Sequence, residues 1–286
     1  MGFANVAAFA QAALDGKGTF ATWRKSPSQV STIGVWFDLS LSPGNPVPQY
    51  YAATPLVAKT LTQSADGGLF HGGAVAPLTK HLTQFMALTT TATALPMPMI
   101  LCDYLLFYPF IDEGTLDPQP LDNTTALPRY ATGSGVQILA VSVAGRTGGQ
   151  TFQVTYTNSD GVAGRVTEVA TQTTAAANGN IVTTGRAGDG FRGPFLALQA
   201  GDTGVRAIES VAMISGTDVG LFALVLVKPI AQAMIRGIDA PVEVSYLTDF
   251  AQLPVIADDA YLNLIACPAG SLAATAIHGH ISTVWS

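Results

Sequence analysis

The sequence predicts a mainly β protein: an antiparallel β-sandwich or jelly roll, with a smaller N-terminal region that contains one or two short helices. Two observations support this fold class. Short segments that alternate apolar and polar residues recur after residue 130, and turn sequences without helical patterns separate them. Before that point, helical patterns and proline-rich loops dominate. We therefore expect an N-terminal arm and mixed α/β region at residues 1–129 and a β-sandwich domain at residues 130–286, with one continuous core as the alternative.

The first predicted element is a helix over residues 1–14. Apolar side chains recur there at helical spacing, no charge interrupts them, and Asp15-Gly16 ends the pattern. The resulting apolar stripe consists of Phe3, Val6, Ala7, Ala10, Ala13 and Leu14. Because so short a helix is marginally stable alone, we expect it to dock on a surface. Phe3, Val6, Ala10 and Leu14 are therefore candidate interface residues for another subunit, and packing on the chain's own body is the alternative.

A second helix is predicted over residues 77–88. Proline suits the first helical position, and Leu78, Leu82 and Phe85 fall on one helical face. Between the two helices, residues 33–37 have the composition of a strand.

The clearest strand pattern lies at residues 151–157. This segment alternates strictly and places Phe152, Val154 and Tyr156 on one face, which we expect to lie in the core. The sequence Asn-Ser-Asp-Gly then reverses the chain, and residues 162–169 are predicted to form the partner strand of a hairpin.

The remaining apolar segments are also interpreted as core. Further strands are predicted at residues 136–143, 205–214, 219–227, 242–247, 261–266 and 276–285, with turns at 216–218 and 268–271. Residues 219–227 are apolar at nearly every position and should be buried on both faces. Residues 95–111 form the longest apolar stretch, but prolines and Asp103 interrupt it, so a core segment is predicted and no membrane span. Cys102 and Cys267 sit in apolar runs and are interpreted as small buried hydrophobes rather than a disulfide.

The chain is unusually poor in charge. Charged residues make up 11% of it, against roughly 25% in an ordinary soluble domain. Such a surface loses little desolvation energy when another protein buries it, which favours assembly over catalysis. With 13 basic and 19 acidic residues, the chain lacks the basic clusters that bind a phosphate backbone, so no direct nucleic-acid partner is expected. Single arginines such as Arg129 and Arg146 are expected to be solvated, and Arg186 and Arg192 bracket a loop tip that is a candidate partner contact.

Catalytic motifs do not occur in the sequence. It contains no phosphate-binding loop, dinucleotide fingerprint or serine elbow, so neither a cofactor nor enzymatic activity is expected. The carboxylate pairs Asp112-Glu113 and Asp258-Asp259 are the hydrolase candidates. Adjacent side chains on a strand point to opposite faces, so neither pair flanks one glycosidic bond, and we interpret them as loop or capping groups.

His278 and His280 are the clearest candidate metal ligands in the sequence. The period of two places both imidazoles on one face of a strand, with Ile277, Ile281 and Trp285 on the other. Three copies around a symmetry axis would then supply a metal site. No third ligand lies nearby in sequence, so we favour the interpretation that the pair lines the polar face of an edge strand.

Three segments in the later part of the chain combine strand-like sequence patterns with turn motifs. They are FQVTYTNSDGVAGR at residues 152–165, LQAGDTGVR at residues 198–206 and LVLVKP at residues 224–229. They resemble virion proteins of tailed bacteriophages, and the resemblance extends from about residue 95 to the C-terminus. It implies a β-rich structural part of the particle and does not decide between head, neck and tail.

The resemblance and the charge-poor composition together predict a structural component of a tailed-phage virion, a capsid decoration or minor capsid protein assembled in the host cytoplasm. Expected partners are the major capsid protein or tail subunits, and further copies of the chain in a homo-oligomer; no membrane partner is expected. The alternatives are a tail, baseplate or neck component, and a glycan- or receptor-binding module. The module would need an exposed aromatic platform, for which Trp23, Trp36 and Trp285 are available.

Overall fold

The computed structural model describes residues 3–147, 149–172, 177–181, 193–215, 219–249 and 253–286. The chain is mainly β, with 43% of residues in strands and 7% in helices. Its strands form multiple antiparallel sheets, and a helix lies near the N-terminus, so the predicted fold class is confirmed.

The helices and strands follow one another from the N-terminal helix to a C-terminal strand. The helices are α1 (Val6–Leu14) and α2 (Gln63–Asp66), and 3₁₀ turns lie at Leu39–Leu41 and Ala92–Ala94. The strands are β1 (Gly18–Lys25), β2 (Phe37–Asp38), β3 (Gly44–Asn45), β4 (Lys59–Thr60), β5 (Lys80–Thr89), β6 (Met97–Asp112), β7 (Gln119–Pro120), β8 (Gln137–Ser142), β9 (Thr151–Asn158), β10 (Arg165–Val166), β11 (Ala170–Thr171), β12 (Val205–Ser215), β13 (Leu221–Ile235), β14 (Val242–Ser245), β15 (Val255–Ile256), β16 (Leu262–Ala266) and β17 (Ile277–Trp285).

The described strands assemble into three sheets. Sheet A has the order β14-β5-β17-β1-β3, and β15 also pairs with β5. Sheet B has the order β2-β16-β6-β13-β8, and β4 also pairs with β6. Sheet C has the order β10-β9-β12-β7, and β11 also pairs with β9.

Sheet B is central because its two longest strands, β6 and β13, serve both other sheets. Met97 and Leu101 near the start of β6 pack in the cluster shared with sheet A, and Leu106 and Tyr108 further along pack in the cluster shared with sheet C. The register with β13 shifts at Leu105, which inserts one extra residue. The first two of these residues are odd-numbered and the last two are even-numbered. Because the bulge inserts one residue between them, all four side chains lie on the same face of sheet B.

The opposite face of sheet B is covered by irregular chain. Cys102, Tyr104 and Phe107 of β6 pack there with Trp36 and Tyr51 from the segment between β1 and β4. Cys267 is partly buried against the same cluster, so both cysteines act as the small hydrophobes that the sequence predicts.

Strands from both sides of residue 130 pair with each other. Sheet A joins β1 and β5 to β17, and sheet B joins β6 to β13. The expected boundary between residues 1–129 and 130–286 therefore does not separate two sheets. The reason is that β6 and β13, at 16 and 15 residues, are long enough to carry both packed clusters.

Several predicted strands are confirmed by the burial pattern. Phe152, Val154 and Tyr156 of β9 are fully buried while the residues between them are half-buried. Residues 222–227 of β13 are buried without alternation, as expected for a strand covered on both faces. Of the partner strand predicted at residues 162–169, only the two residues of β10 pair with β9, and a second two-residue strand, β11, pairs with β9 just beyond this range. The turn predicted at 216–218 and the residues Arg186 and Arg192 lie outside the described residues.

The helix predicted over residues 77–88 is wrong, because this segment forms strand β5. Leu82 and Phe85 both face the core, although they are three residues apart. The register with β17 shifts between these positions, so Thr83 is an extra, bulged residue. A bulge converts the strand period of two into a spacing of three, which imitates the helical pattern.

Candidate functional site

Helix α1 lies on sheet A and contacts β17. Its N-cap is Asn5, whose side chain accepts a hydrogen bond of 2.8 Å from a backbone N–H of the first turn. Phe9 and Ala12 face the body of the protein, and Ala12 is buried. Phe3 folds back over this contact, with its ring centroid 5.2 Å from that of Phe9 and 5.5 Å from that of His81. The helix is therefore docked on its own chain through one of its two apolar sides.

The apolar stripe predicted from the sequence faces away from the body. Val6 is 68% exposed and Leu14 is 81% exposed. We define the helix stripe as the exposed residues Val6, Ala10, Ala13 and Leu14. Of the four predicted interface residues, only Phe3 turns towards the body. The other side of the helix docks on the body, with Ala12 buried and Phe9 half-buried; Phe9 is the largest apolar side chain of the helix and lies outside the predicted stripe.

The outer face of sheet A, which is turned away from sheet B, continues this surface. Phe20 of β1 is 62% exposed, and its ring centroid lies 4.7 Å from that of His280 on the neighbouring strand. His280 Nε2 lies 3.1 Å from Gln84 Oε1. Burial lowers the pKa of His280, and the nearby carboxylate of Glu243 opposes this effect. At neutral pH the imidazole is uncharged, so His280 adds no charge to this face.

His278 and His280 lie on one half-exposed face of β17, while Ile277 and Ile281 are buried on the other, as predicted. The expectation that β17 is an edge strand is wrong, because β17 lies between β5 and β1 in sheet A. Across the ranges that the structure describes, no group of three His, Cys, Asp or Glu residues is placed to hold a metal ion.

Packing explains the glycine between the two histidines. A Cβ atom at Gly279 would lie 2.3 Å from the Trp23 ring and 2.1 Å from the backbone oxygen of Met86. Only glycine lets Trp23 pack under the strand at this point. The His-Gly-His sequence therefore reflects the core below the sheet as well as its outer face.

The carboxylates of Asp258 and Asp259 cap loops, the role favoured by the sequence. Asp258 accepts hydrogen bonds of 3.0 and 3.1 Å from the backbone N–H groups of Val75 and Ala76. Asp259 accepts bonds of 2.7 and 2.8 Å from the backbone N–H and hydroxyl of Ser64 in α2. Each carboxylate is thus engaged by a different loop.

Two arginines expected at the surface are buried in ion pairs. Arg146 lies 2.9 Å from the carboxylate of Glu113, and both side chains are fully buried. Arg129 donates to Asp103 through Nη2 at 2.7 Å and through Nε at 2.9 Å, and its side chain is 7% exposed. Burial raises the pKa of Asp103 to about 6 although Arg129 acts against the rise. The expectation of solvated arginines is wrong here because each has a carboxylate partner that is distant in sequence.

A buried carboxylate at Asp38 was not indicated by any sequence pattern. The hydroxyls of Tyr51 and Tyr104 donate to it at 2.5 and 2.8 Å, and the backbone N–H of Ser40 donates at 2.8 Å. Burial raises the pKa of Asp38, and these donors oppose the rise. All of its oxygens are satisfied inside the protein, so the group ties β2 to β6 rather than facing a substrate.

Lys80 and His71 form a second buried polar cluster. Lys80 Nζ lies 3.0 Å from His71 Nδ1 and donates to the backbone oxygen of Gly73 at 2.8 Å. Since an ammonium only donates, Nδ1 accepts and Nε2–H donates to the backbone oxygen of Ala260 at 2.9 Å. Burial, followed by the charge of Lys80, lowers the pKa of His71 to about 4. The cluster anchors the glycine-rich loop before β5.

The tryptophans do not form a glycan platform. Trp23 is 2% exposed and Trp36 is 7% exposed, and both belong to core clusters. Trp285 is half-buried at the end of β17. An aromatic platform built on Trp23 and Trp36 is therefore excluded.

No family model, curated protein or solved structure matches this chain. In the part of the chain that the structure describes, no helix has the length and apolar character required to cross a bilayer. The helix stripe and the adjoining outer face of sheet A are thus the candidate site, and their chemistry is that of a contact surface.

Proposed function

We propose that this protein is a structural component of a tailed-bacteriophage virion, a capsid decoration or minor capsid protein that acts through protein–protein contacts. The observation that carries the proposal is the helix stripe, where Val6 and Leu14 are 68% and 81% exposed on a helix that is already docked by its other side. An apolar helix face in water lowers its free energy when a partner covers it.

The distribution of charge supports this function. Several of the few charged side chains are withdrawn from the surface: Lys25, Asp38, Lys80, Asp103, Glu113 and Arg146 are all buried. The solvent-facing surface therefore carries fewer charges than the composition alone indicates. Burying it against another virion protein strips few ions of water, so contact with the major capsid protein or a tail subunit carries a small desolvation cost.

Point variants on the exposed side of α1 test the proposal without disturbing its docked side. Leu14→Glu places a charge in the helix stripe, and Gln11→Glu places the same charge on the same helix outside it, with loss of the 2.7 Å hydrogen bond that the Gln11 amide donates to Asp15. Tagged chains are supplied in cells that produce the tailed particles of the same genome, and their amount in purified particles is measured against the major capsid protein. We expect incorporation of Leu14→Glu to fall about tenfold or more and that of Gln11→Glu to stay unchanged. Equal incorporation of the two variants contradicts the proposal.

Salt provides an independent test of the same contact. Attachment should weaken little well above physiological ionic strength, because the proposed contact contains no ion pair for salt to screen. Release of the protein from particles by moderate NaCl alone contradicts this. A low-resolution map of the particle then assigns the site, and density at the tail, baseplate or neck selects that alternative over the head.

A further inference from the structure

Strand β1 is unpaired along part of one side. On its inner side it pairs with β17 over its whole length, Gly18–Lys25. On its other side, the two-residue strand β3 reaches only Arg24 and Lys25. Within the described ranges, no strand pairs with residues 18–22 on that side.

The alternation of backbone hydrogen bonds along β1 shows which residues face this free edge. The N–H of Trp285 donates to the backbone oxygen of Lys17 at 3.1 Å, in the same register that pairs β1 with β17. Odd-numbered residues of β1 therefore bond to β17, and even-numbered residues direct their N–H and C=O groups away from it. The residues that face the free edge are Gly18, Phe20 and Thr22. The side-chain amide of Asn45 approaches the Thr22 oxygen at 3.2 Å from that side, which agrees with this phase.

The free edge is exposed at Gly18 and Phe20, and the side-chain amide of Asn45 reaches it at Thr22. Gly18 is exposed, and because glycine has no side chain this exposure belongs to the main chain. Phe20 is 62% exposed. Residues 18–23 contain no charge and no proline, the devices that usually prevent sheet edges from pairing. The opposite edge of sheet A differs, because β14 carries Glu243.

We propose that β1 pairs antiparallel with β1 of a second copy, with Phe20 opposite the partner's Phe20, so that the two copies of sheet A form one continuous sheet. Because the even-numbered residues direct their backbone groups to the free edge, the two-fold axis of the dimer passes beside Phe20, the middle one of the three. Phe20 then exchanges two backbone hydrogen bonds with the partner's Phe20, and Gly18 pairs with the partner's Thr22.

The length of the free edge fits this register. The partner's Gly18 lies opposite Thr22, two positions before Arg24, where β3 begins to pair, and its N–H shares the Thr22 oxygen with the side-chain amide of Asn45. Beyond Gly18, the backbone oxygen of Lys17 still bonds to β17, and the left-handed conformation of Gly16, with a φ of 73°, then ends the extended segment. On the outer face the two Phe20 rings become a cross-strand aromatic pair, which adds side-chain burial to the main-chain bonds. The contact does not use the helix stripe and does not rest on the proposed function.

Charge variants at Phe20 test both the edge and the register. The full-length chain is studied by sedimentation equilibrium, and we expect a dimer. Phe20→Lys and Phe20→Asp should each raise the dimer Kd about tenfold or more, because like charges then lie directly opposite each other. An equal mixture of the two variants should recover dimers, since lysine then faces aspartate. Glu243→Lys, a charge change on strand β14 at the opposite edge of sheet A, should leave the Kd unchanged.

A second variant distinguishes loss of the dimer from loss of the fold. Thr22→Pro removes an outward N–H without removing a hydrogen bond to β17, so it should weaken the dimer while far-UV circular dichroism stays that of the wild type. Three results overturn the proposal: a wild-type chain that stays monomeric up to its solubility limit, a dimer unaffected by Phe20→Lys, or a mixture of the charge variants that fails to recover. These measurements use purified protein, so they stand whether or not the chain enters a particle.

Discussion

Replacing Arg129 with methionine tests the ion pair that joins β6 to the chain around residue 130. Arg129 donates to both oxygens of Asp103 and, through Nη2, to the backbone oxygens of Leu61 and Tyr104 at 3.0 Å. When the guanidinium is removed, Asp103 keeps the backbone N–H of Tyr261, at 3.0 Å, but loses its cation. The variant therefore leaves a buried carboxylate without its cation.

The expected cost is large at neutral pH and smaller in acid. Removing one partner of a buried pair typically costs about 3–5 kcal/mol, and we expect a loss of unfolding free energy in this range. Burial already holds the pKa of Asp103 at about 6 with Arg129 present, above its usual value of 3.8, and loss of the cation raises it further. Protonation removes the unpaired charge in the folded state, so the deficit of the variant should shrink as the pH falls from the raised pKa of Asp103 in the variant towards about 6, its pKa in the wild type.

Urea unfolding of wild type, Arg129→Met and the double variant Asp103→Asn/Arg129→Met measures these effects through the fluorescence of the buried tryptophans. The double variant should be more stable than Arg129→Met alone, because it lacks the uncompensated charge. A loss below about 1 kcal/mol near neutral pH, or a loss that is the same at about pH 8 and about pH 5, refutes the reasoning.

Three further predictions follow from buried contacts. Tyr156→Ala should cost about 3–5 kcal/mol of unfolding free energy and Tyr156→Phe about 1–2 kcal/mol, because the hydroxyl donates to Asp202; an unchanged melting temperature for Tyr156→Ala means that the assigned face is wrong. The pKa of His71 lies near 4, so the wild type should lose stability relative to His71→Gln as the pH falls from 6.5 to about 4, and a ring-proton NMR titration midpoint near 6.5 contradicts this. Gly279→Ala should lower stability by about 1–3 kcal/mol, measured by thermal unfolding, because its Cβ overlaps the Trp23 ring; wild-type stability would show that the ring has room to move.

Strand β9 could be predicted from the sequence because one of its faces is core and the other is solvent, which produces strict alternation. Strand β5 could not, because the bulge at Thr83 changes the spacing of its apolar residues. Whether a bulge is present depends on the partner strand β17, almost 200 residues away in the chain, and no local pattern contains that information.

The candidate site shows the same division between local and distant information. The spacing of Val6, Ala10 and Leu14 places them on one helix face, and the structure agrees. Which face docks is decided by Phe9 and by the shape of sheet A below it. The buried ion pairs were missed for a related reason: Asp103 and Arg129 are 26 residues apart, and each one alone looks like an ordinary surface charge.

The helix stripe and the free edge of β1 are close together in the chain, and variants of each surface distinguish their roles. Helix α1 and strand β1 are joined by the short segment 15–17, so a dimer formed through β1 carries two helix stripes on one rigid body. Two stripes that reach one particle bind with a higher effective affinity than one. Phe20→Lys should therefore lower incorporation into particles although the stripe is intact, whereas Leu14→Glu should leave the dimer intact and still lower incorporation. If Phe20→Lys abolishes the dimer and incorporation stays at the wild-type level, the stripe acts alone and the dimer serves another purpose.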